Sequence, residues 1–492
     1  SQMGLDVSRY TRGGTDAVHK TTATDFCASS QLGPGCWRDY YSHEPLANDF
    51  FRNAINNPDQ LRQRMALALQ QILVVSSLEV QGTYGLRNWH NQFLANALGN
   101  YRQVLQKVAM SPVMGDYLNN VNNNASQPNE NFARELLQLF SIGTCELNLD
   151  GSLKGGACQP TYGNTTVREY AFAMTGWGYP AGGYSAWCSA SDGSCRYYGG
   201  DMQPRVTLHD VNTRLLLSGV TVPAGSTAPQ ALSLVLDSIM AHPNVAPFVS
   251  RQLIQRLVTS NPSPAYVQRV ATAFNAGRFS DGTLAFGGGA KGDLQAVAAA
   301  ILLDPEARAA TATAALGRLR EPVLYFTHVL RALNGKSDGQ SLTWWWGSDL
   351  GQHVLRPASV FNYYPPDYPV AGTGGLQGPE FGILGTSSGL GRLNFINYLV
   401  YWGGSQPTAG FTDALGTLVD LKPFEADADR PAVLVDRMLR LAAGGRISST
   451  ARNTIINAVS AWGPAHGAQY LGERVKTAAY LVFASPQYQS AR

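Results

Sequence analysis

Pro128-Asn129-Glu130-Asn131-Phe132-Ala133-Arg134-Glu135-Leu136-Leu137-Gln138-Leu139-Phe140 sets polar and apolar residues at helical spacing. At about 100° per residue, Asn131, Arg134, Glu135 and Gln138 share one face, while Phe132, Leu136, Leu139 and Phe140 share the opposite one. Asn129 is expected to cap this helix, with Glu130 in its first turn, where the helix dipole favours an anion. A polar stripe of this kind either lines a cleft or sits in a buried network. The first use belongs to an enzyme or binding site, the second to a structural helix.

The same periodicity runs outward from this segment. Helices are expected near 58–73, 86–98, 100–110, 129–142, 166–175, 229–241, 245–259, 264–276, 292–303, 321–333, 430–443, 450–461 and 472–484. Four apolar helices share an ending, at Ser111-Pro112, His242-Pro243, Asp304-Pro305 and Ser485-Pro486. Proline disfavours helix in the residue before it and can open the next element, so these endings predict repeated antiparallel helix pairs. Their spacing is irregular, which excludes a strict solenoid. Residues 1–47 read as an irregular arm, 48–142 as an N-terminal helical part and 143–228 as a loop insertion rich in Cys, Gly and Tyr. Within that insertion, Val206-Thr207-Leu208 and Leu215-Leu216-Leu217 read as short strands. Residues 229–335 form a central helical part, 336–392 an aromatic loop segment and 393–492 the C-terminal helices. The expected fold is mainly α, with 48–492 as one large helical domain bearing long loops and minor β structure.

Charged residues make up 14% of the chain, against a typical value of about 25%. The net charge of +3 comes without a basic run, so nothing points to nucleic acid. No apolar run approaches the roughly 18 residues that would span a membrane. The opening Ser1-Gln2-Met3 has neither n-region nor h-region, so any signal peptide is expected to be gone. Six cysteines fall into three close couples: Cys27 with Cys36, Cys145 with Cys158, and Cys188 with Cys195. Each couple flanks a small-residue loop, as local disulfides would, which implies an oxidising compartment, periplasmic or extracellular. Zinc is the competing use, although no couple has knuckle spacing or a neighbouring His. Six cysteines allow 15 connectivities, so pairing stays open at this level.

Eight motifs occur in a fixed order. They are Asp59-Gln60-Leu61-Arg62-Gln63-Arg64, Ser111-Pro112-Val113-Met114-Gly115-Asp116-Tyr117-Leu118, the Asn129–Phe140 helix, and Glu169-Tyr170-Ala171-Phe172-Ala173-Met174-Thr175-Gly176-Trp177. His209-Asp210, His242-Pro243, Arg320-Glu321-Pro322 and Val360-Phe361-Asn362-Tyr363-Tyr364-Pro365-Pro366-Asp367-Tyr368 follow. Over roughly residues 48–400 this set resembles the bacterial family called domain of unknown function 1800. The resemblance implies an exported, mostly helical protein. Members are often encoded beside a sulfatase-like family (domain of unknown function 1501), which implies a shared pathway and a partner encoded nearby. It brings no established catalytic residues.

Glycosidic hydrolysis needs one carboxyl that holds a proton and a second kept ionised. Glu130 and Glu135, with Arg134 between them, meet the residue requirement, and Asp210 is the candidate carboxylate across a cleft. The structural alternative is a Glu130–Arg134 pair at i,i+4, Glu135 tying two helices together, and Asp210 capping a turn. Asn131, Arg134 and His209 would position a substrate. Trp177, Trp345, Tyr363 and Tyr364 would stack on sugar rings, or else pack in the core. A metal site from His90, His209, Asp210 and Glu130 lacks ligand spacing, and neither a G-x-S-x-G elbow nor a nucleotide motif is present. No cofactor or metal is therefore expected. The leading expectation is an exported glycoside hydrolase acting on a polysaccharide. A non-enzymatic binding or assembly protein for an exported partner is the alternative, and a metal-dependent hydrolase the third reading.

Overall fold

The computed structural model describes residues 44–80, 83–181, 196–309, 317–408, 414–444 and 447–491. Its main helices are α1 (Glu44–Asn56), α2 (Gln60–Gln70), α3 (Thr83–Asn96), α4 (Tyr101–Met110), α5 (Pro112–Tyr117), α6 (Asn131–Gln138), α7 (Asn164–Ala173) and α8 (Ala228–Ala241). They continue with α9 (Val245–Leu257), α10 (Pro264–Ala276), α11 (Leu294–Leu302), α12 (Pro322–Ala332), α13 (Thr386–Val400), α14 (Pro431–Ala443), α15 (Ser449–Ser460), α16 (Tyr470–Phe483) and α17 (Pro486–Gln489). Each helix expected from periodicity is present. The helical pattern expected from Asn48 is α1, which begins earlier, at Glu44 inside the supposed arm; not expected were α5, α13 and the short α17. Gly389 and Gly391 obscure the pattern of α13, since each glycine weakens a helix by about 1 kcal/mol. Packing accounts for Gly391, because a Cβ there would come within 2.7 Å of Leu350.

The proline endings act as the sequence implies. Ser111, His242 and Ser485 leave the helical region, with ψ of 123°, 135° and 150°, immediately before Pro112, Pro243 and Pro486. Ser111 closes α4 and opens α5; Pro243 sits in the turn between α8 and α9. The helices pack against one another in pairs, such as α2 with α3, α9 with α10, and α14 with α16. One continuous apolar core runs from Leu46 to Tyr488. Among the described residues, no single helix is long and apolar enough to cross a membrane.

Among the described residues the strands form two-residue pairs, with isolated bridges beside them. β1 (Trp177–Gly178) pairs with β2 (Gln203–Pro204), β3 (Arg214–Leu215) with β4 (Thr221–Val222), and β5 (Phe279–Ser280) with β6 (Ala285–Phe286), all antiparallel. β7 (Arg318–Leu319) pairs with β10 (Ser490–Ala491), and β8 (Lys336–Ser337) with β9 (Thr417–Leu418). Two expectations are corrected here. Val206–Leu208 is a 3-10 turn, and Leu215 ends a strand that gives way to a second turn at Leu217–Gly219.

Of the three expected disulfides, the structure bears on one. Cys145 and Cys158 are bonded, with Cα atoms 5.0 Å apart, and close the loop that follows α6. The pairing expected of Cys27 with Cys36 falls on residues outside the described ones. The same holds for Cys188 with Cys195, since Cys188 and Cys195 both precede the segment that resumes at residue 196.

Candidate functional site

The polar stripe of α6 divides along its length. Asn129 Oδ1 accepts the Asn131 N–H at 2.9 Å, so the Asn129 side chain performs the capping although Glu130 is the last non-helical residue. Glu130 pairs with Arg134 at 2.9 Å, partly exposed, in the i,i+4 geometry. Asn131 is exposed and donates to Asn119 at 2.8 Å. Glu135 differs from both. Its Oε2 is buried without a hydrogen-bond partner, and burial raises its pKa against the opposing pull of Arg134. Tyr117 and Tyr162 feel its charge, and their own hydroxyl pKa values are raised chiefly by burial.

His209 and Asp210 form a clamp with the end of α7. The His209 Nδ1 donates to Thr175 O at 2.8 Å, and the Asp210 amide donates to Thr175 Oγ1 at 2.9 Å. Gly176, at φ +83°, leaves no room for a Cβ against His209. Both carboxylate oxygens of Asp210 are taken by Arg214, at 2.7 and 3.0 Å, and Asn212 adds a further bond. Buried though it is, Asp210 has a lowered pKa because the Arg214 and Asn212 bonds outweigh desolvation. Arg214 also reaches Glu169 at 3.3 Å and lies 3.6 Å over the Phe172 ring. The family-like motif segments around Glu169 and His209 thus lock onto each other, and Asp210 is committed to holding them. Trp177, in β1, is buried at 1% exposure.

A second polar centre lies in the core. Glu321, at the start of α12, accepts from Arg318 at 2.9 Å, Gln352 at 2.6 Å, Tyr364 Oη at 2.8 Å and Gln71 at 2.5 Å. Arg318 also meets Glu380 at 2.7 Å, and its second guanidinium nitrogen donates to Arg256 O. These contacts hold the Glu321 carboxyl near a pKa of about 2 despite its burial. Glu380 moves the other way, raised by desolvation. Arg64 donates to Arg256 O at 3.4 Å, and burial together with Arg318 lowers its pKa to about 10. Tyr364 therefore serves this centre, buried at 2% exposure, and Tyr363 donates to His353 O at 2.5 Å.

In front of this centre lies a cleft of about 400 Å³. One wall is a stripe of α9: Phe248, Arg251, Gln252, Gln255 and Arg256, at i, i+3, i+4, i+7 and i+8. The opposite wall is Val360, Phe361, Pro365, Pro366 and Asp367. Gln138, the last member of the α6 stripe, and Gln71 complete it with Gln377. Gln377 is fixed by reciprocal bonds with Asn261 at 2.7 and 2.8 Å, and its Oε1 accepts from Arg251 at 3.0 Å. Gln255 ties α9 to Pro366 O at 3.2 Å. The side chains of Gln138 and Gln252 make no hydrogen bond among the described residues. Glu130, Glu135 and Asp210 are not among the lining residues, where the carboxylate is Asp367. Reading α9 only as a helix missed its polar stripe; the i, i+3, i+4, i+7 spacing of amides and arginines was the available signal.

A separate groove of about 660 Å³ is lined by Trp345, Trp346, Tyr398 and Trp402 with Asp349 and Asn394. Trp344–Trp346 fall in a π-helical turn, Ser341–Trp346. Trp346 is buried, whereas Trp345 and Trp402 are 65% and 66% exposed. His90 bonds Gln70 at 2.7 Å, and among the described residues no three His, Cys, Asp or Glu side chains gather as metal ligands would.

Residues 21–490 match the family described as "Protein of unknown function (DUF1800)". The chain belongs to this family. The match extends on both sides of the 48–400 region that carried the resemblance, and takes in the C-terminal helices. Searches of curated proteins and of solved structures return no match. In this member of DUF1800, Arg64, Glu321 and Tyr364 come from three different motifs and meet at one buried centre.

Proposed function

We propose that the protein binds and hydrolyses an extracytoplasmic polysaccharide in the cleft between α9 and the Val360–Asp367 segment. The observation behind this reading is the unpartnered amide pair, Gln138 and Gln252, between Phe248, Phe361 and two prolines. Amides donate and accept at once, which suits hydroxyl groups, while aromatic and proline faces suit the C–H face of a sugar ring. The Cys145–Cys158 disulfide supports an oxidising compartment. Glu135, raised by burial, lies outside the lining and takes no step in this cleft. Asp367 takes the place first given to Asp210, because it lines the cleft and Asp210 is spent on Arg214.

Release of reducing ends from a panel of polysaccharides tests the proposal. Asp367→Asn should lower turnover by about 100-fold or more while saccharide binding persists. Turnover that survives Asp367→Asn would sink the catalytic assignment. The second reading is a non-enzymatic binding or assembly protein, favoured by the exposed Trp345 and Trp402 groove. Tight saccharide binding by wild type without any turnover would select it.

A further inference from the structure

We infer that the cleft contains a subsite for a negatively charged group, so that its ligand is an acidic saccharide; this rests on the carbohydrate reading above. Arg251 and Arg256 both line the cleft, and neither forms an ion pair among the described residues. Arg256 is 4% exposed, and its Nη1 is buried with no hydrogen-bond partner. Its ring partner is neutral: Tyr364 lies 5.0 Å from the guanidinium carbon. Arg251 is held by the uncharged Gln377 amide.

Behind the cleft the imbalance grows. Arg64, Arg256, Arg318, Arg320 and Arg392 influence the same centre, opposed by Glu321 and Glu380: five guanidiniums against two carboxylates. Both carboxylates are already bound to Arg318, at 2.9 and 2.7 Å. Arg392 Nε and Nη1 are also buried without partners. Burial without an ion-pair partner lowers the pKa of Arg251, with Asp367 offsetting only part of it. In a site of reduced dielectric, uncompensated cations attract an anion far more strongly than in water. Guanidinium groups meet planar or tetrahedral oxyanions with paired, charge-assisted bonds. Each arginine has a glutamine as its chain neighbour on the same wall, Arg251-Gln252 and Gln255-Arg256, so an acidic group and a hydroxyl can be read side by side.

Carboxylate and sulfate-ester saccharides share this chemistry, and titration calorimetry separates them. The full chain would be titrated with neutral, uronate and sulfate-ester oligosaccharides of equal length, at about 50 mM and about 300 mM salt. An acidic oligosaccharide should bind about tenfold or more tightly than the neutral one, with affinity falling as salt rises. Arg251→Gln should remove that preference, and Arg256→Lys, which keeps the charge, should weaken it less. Circular dichroism of each variant separates this loss from misfolding. Equal affinity for the neutral oligosaccharide overturns the anion subsite and leaves the carbohydrate reading intact. If no saccharide binds, yet inorganic sulfate raises the melting temperature of wild type and not of Arg251→Gln, the subsite stands and the carbohydrate reading falls. No binding by any saccharide, with no difference between wild type and Arg251→Gln in sulfate, overturns the subsite.

Discussion

The Asp210 clamp and the α9 cleft are both built from arginine, carboxylate and amide, yet they stand in opposite states. At the clamp, Arg214 takes both oxygens of Asp210, and Thr175 bonds both His209 and Asp210. At the cleft, the Gln138 and Gln252 side chains have no partner and Arg256 Nη1 has none. Composition does not separate the two sites; the pairing of charge does. Asp210 is ion-paired with Arg214, while Arg256 has no carboxylate partner among the described residues, and His209 Nε2 is itself buried without a bond. A polar cluster whose charges are mutually paired rigidifies a fold, while one that leaves a buried cation unpaired is suited to a ligand.

That comparison can be broken by substitution. Glu321→Ala should have the largest effect, about 3–5 kcal/mol by urea denaturation, because it leaves buried Arg318 short of a carboxylate. A loss below about 1 kcal/mol would mean that the centre is not a structural unit. Acid sharpens the point. The folded pKa of Glu321, about 2, lies below its ordinary 4.5, so its contribution is complete above pH 4.5 and is lost as pH falls through 2. Glu321→Gln should flatten the stability curve across that window.

His90 gives the next effect. Burial lowers its pKa from 6.5 to about 4, so the unfolded chain takes up a proton that the folded one resists. Stability should fall by about 3 kcal/mol as pH drops from 6.5 towards 4, and His90→Gln should remove that slope. Asp210→Asn should cost about 2 kcal/mol, since a buried charged acceptor is lost, while saccharide affinity stays at the wild-type value. A fall in affinity without a fall in stability would return Asp210 to the active site. Arg251→Gln should show the reverse pattern, with stability within about 0.5 kcal/mol of wild type and affinity reduced.

Helix positions were legible because long apolar stripes and proline endings report local geometry. The exceptions have local causes: Gly389 and Gly391 hide α13, and α5 and α17 are too short to show a period. The site was less legible. Glu130, Arg134 and Glu135 stand out by charge, yet Gln138 is the member of that stripe which reaches the cleft, and its neighbours there come from α9 and from residues 360–377. Asp210 looks catalytic until Arg214, four residues on, is seen to occupy it. Tyr363 and Tyr364 are adjacent in a motif, but only the fold shows that Tyr364 belongs to Glu321. Partners that far apart in sequence leave no periodic trace.

The pairing of β10 with β7 bears on the order in which the molecule can be assembled. Arg318–Leu319 lie alongside Ser490–Ala491, and Arg320 donates to Tyr488 O at 2.7 Å and to Ala442 O at 3.1 Å. The arginine centre is therefore closed by a segment that lies far downstream, Tyr488 being 168 residues after Arg320. During synthesis, helices α1 to α12 emerge first and must wait, with several guanidiniums still open to water, for α17 and β10 to arrive. That centre is finished by residues far downstream of it, and chains cut before Pro486 should stall as loosely packed, protease-sensitive helices.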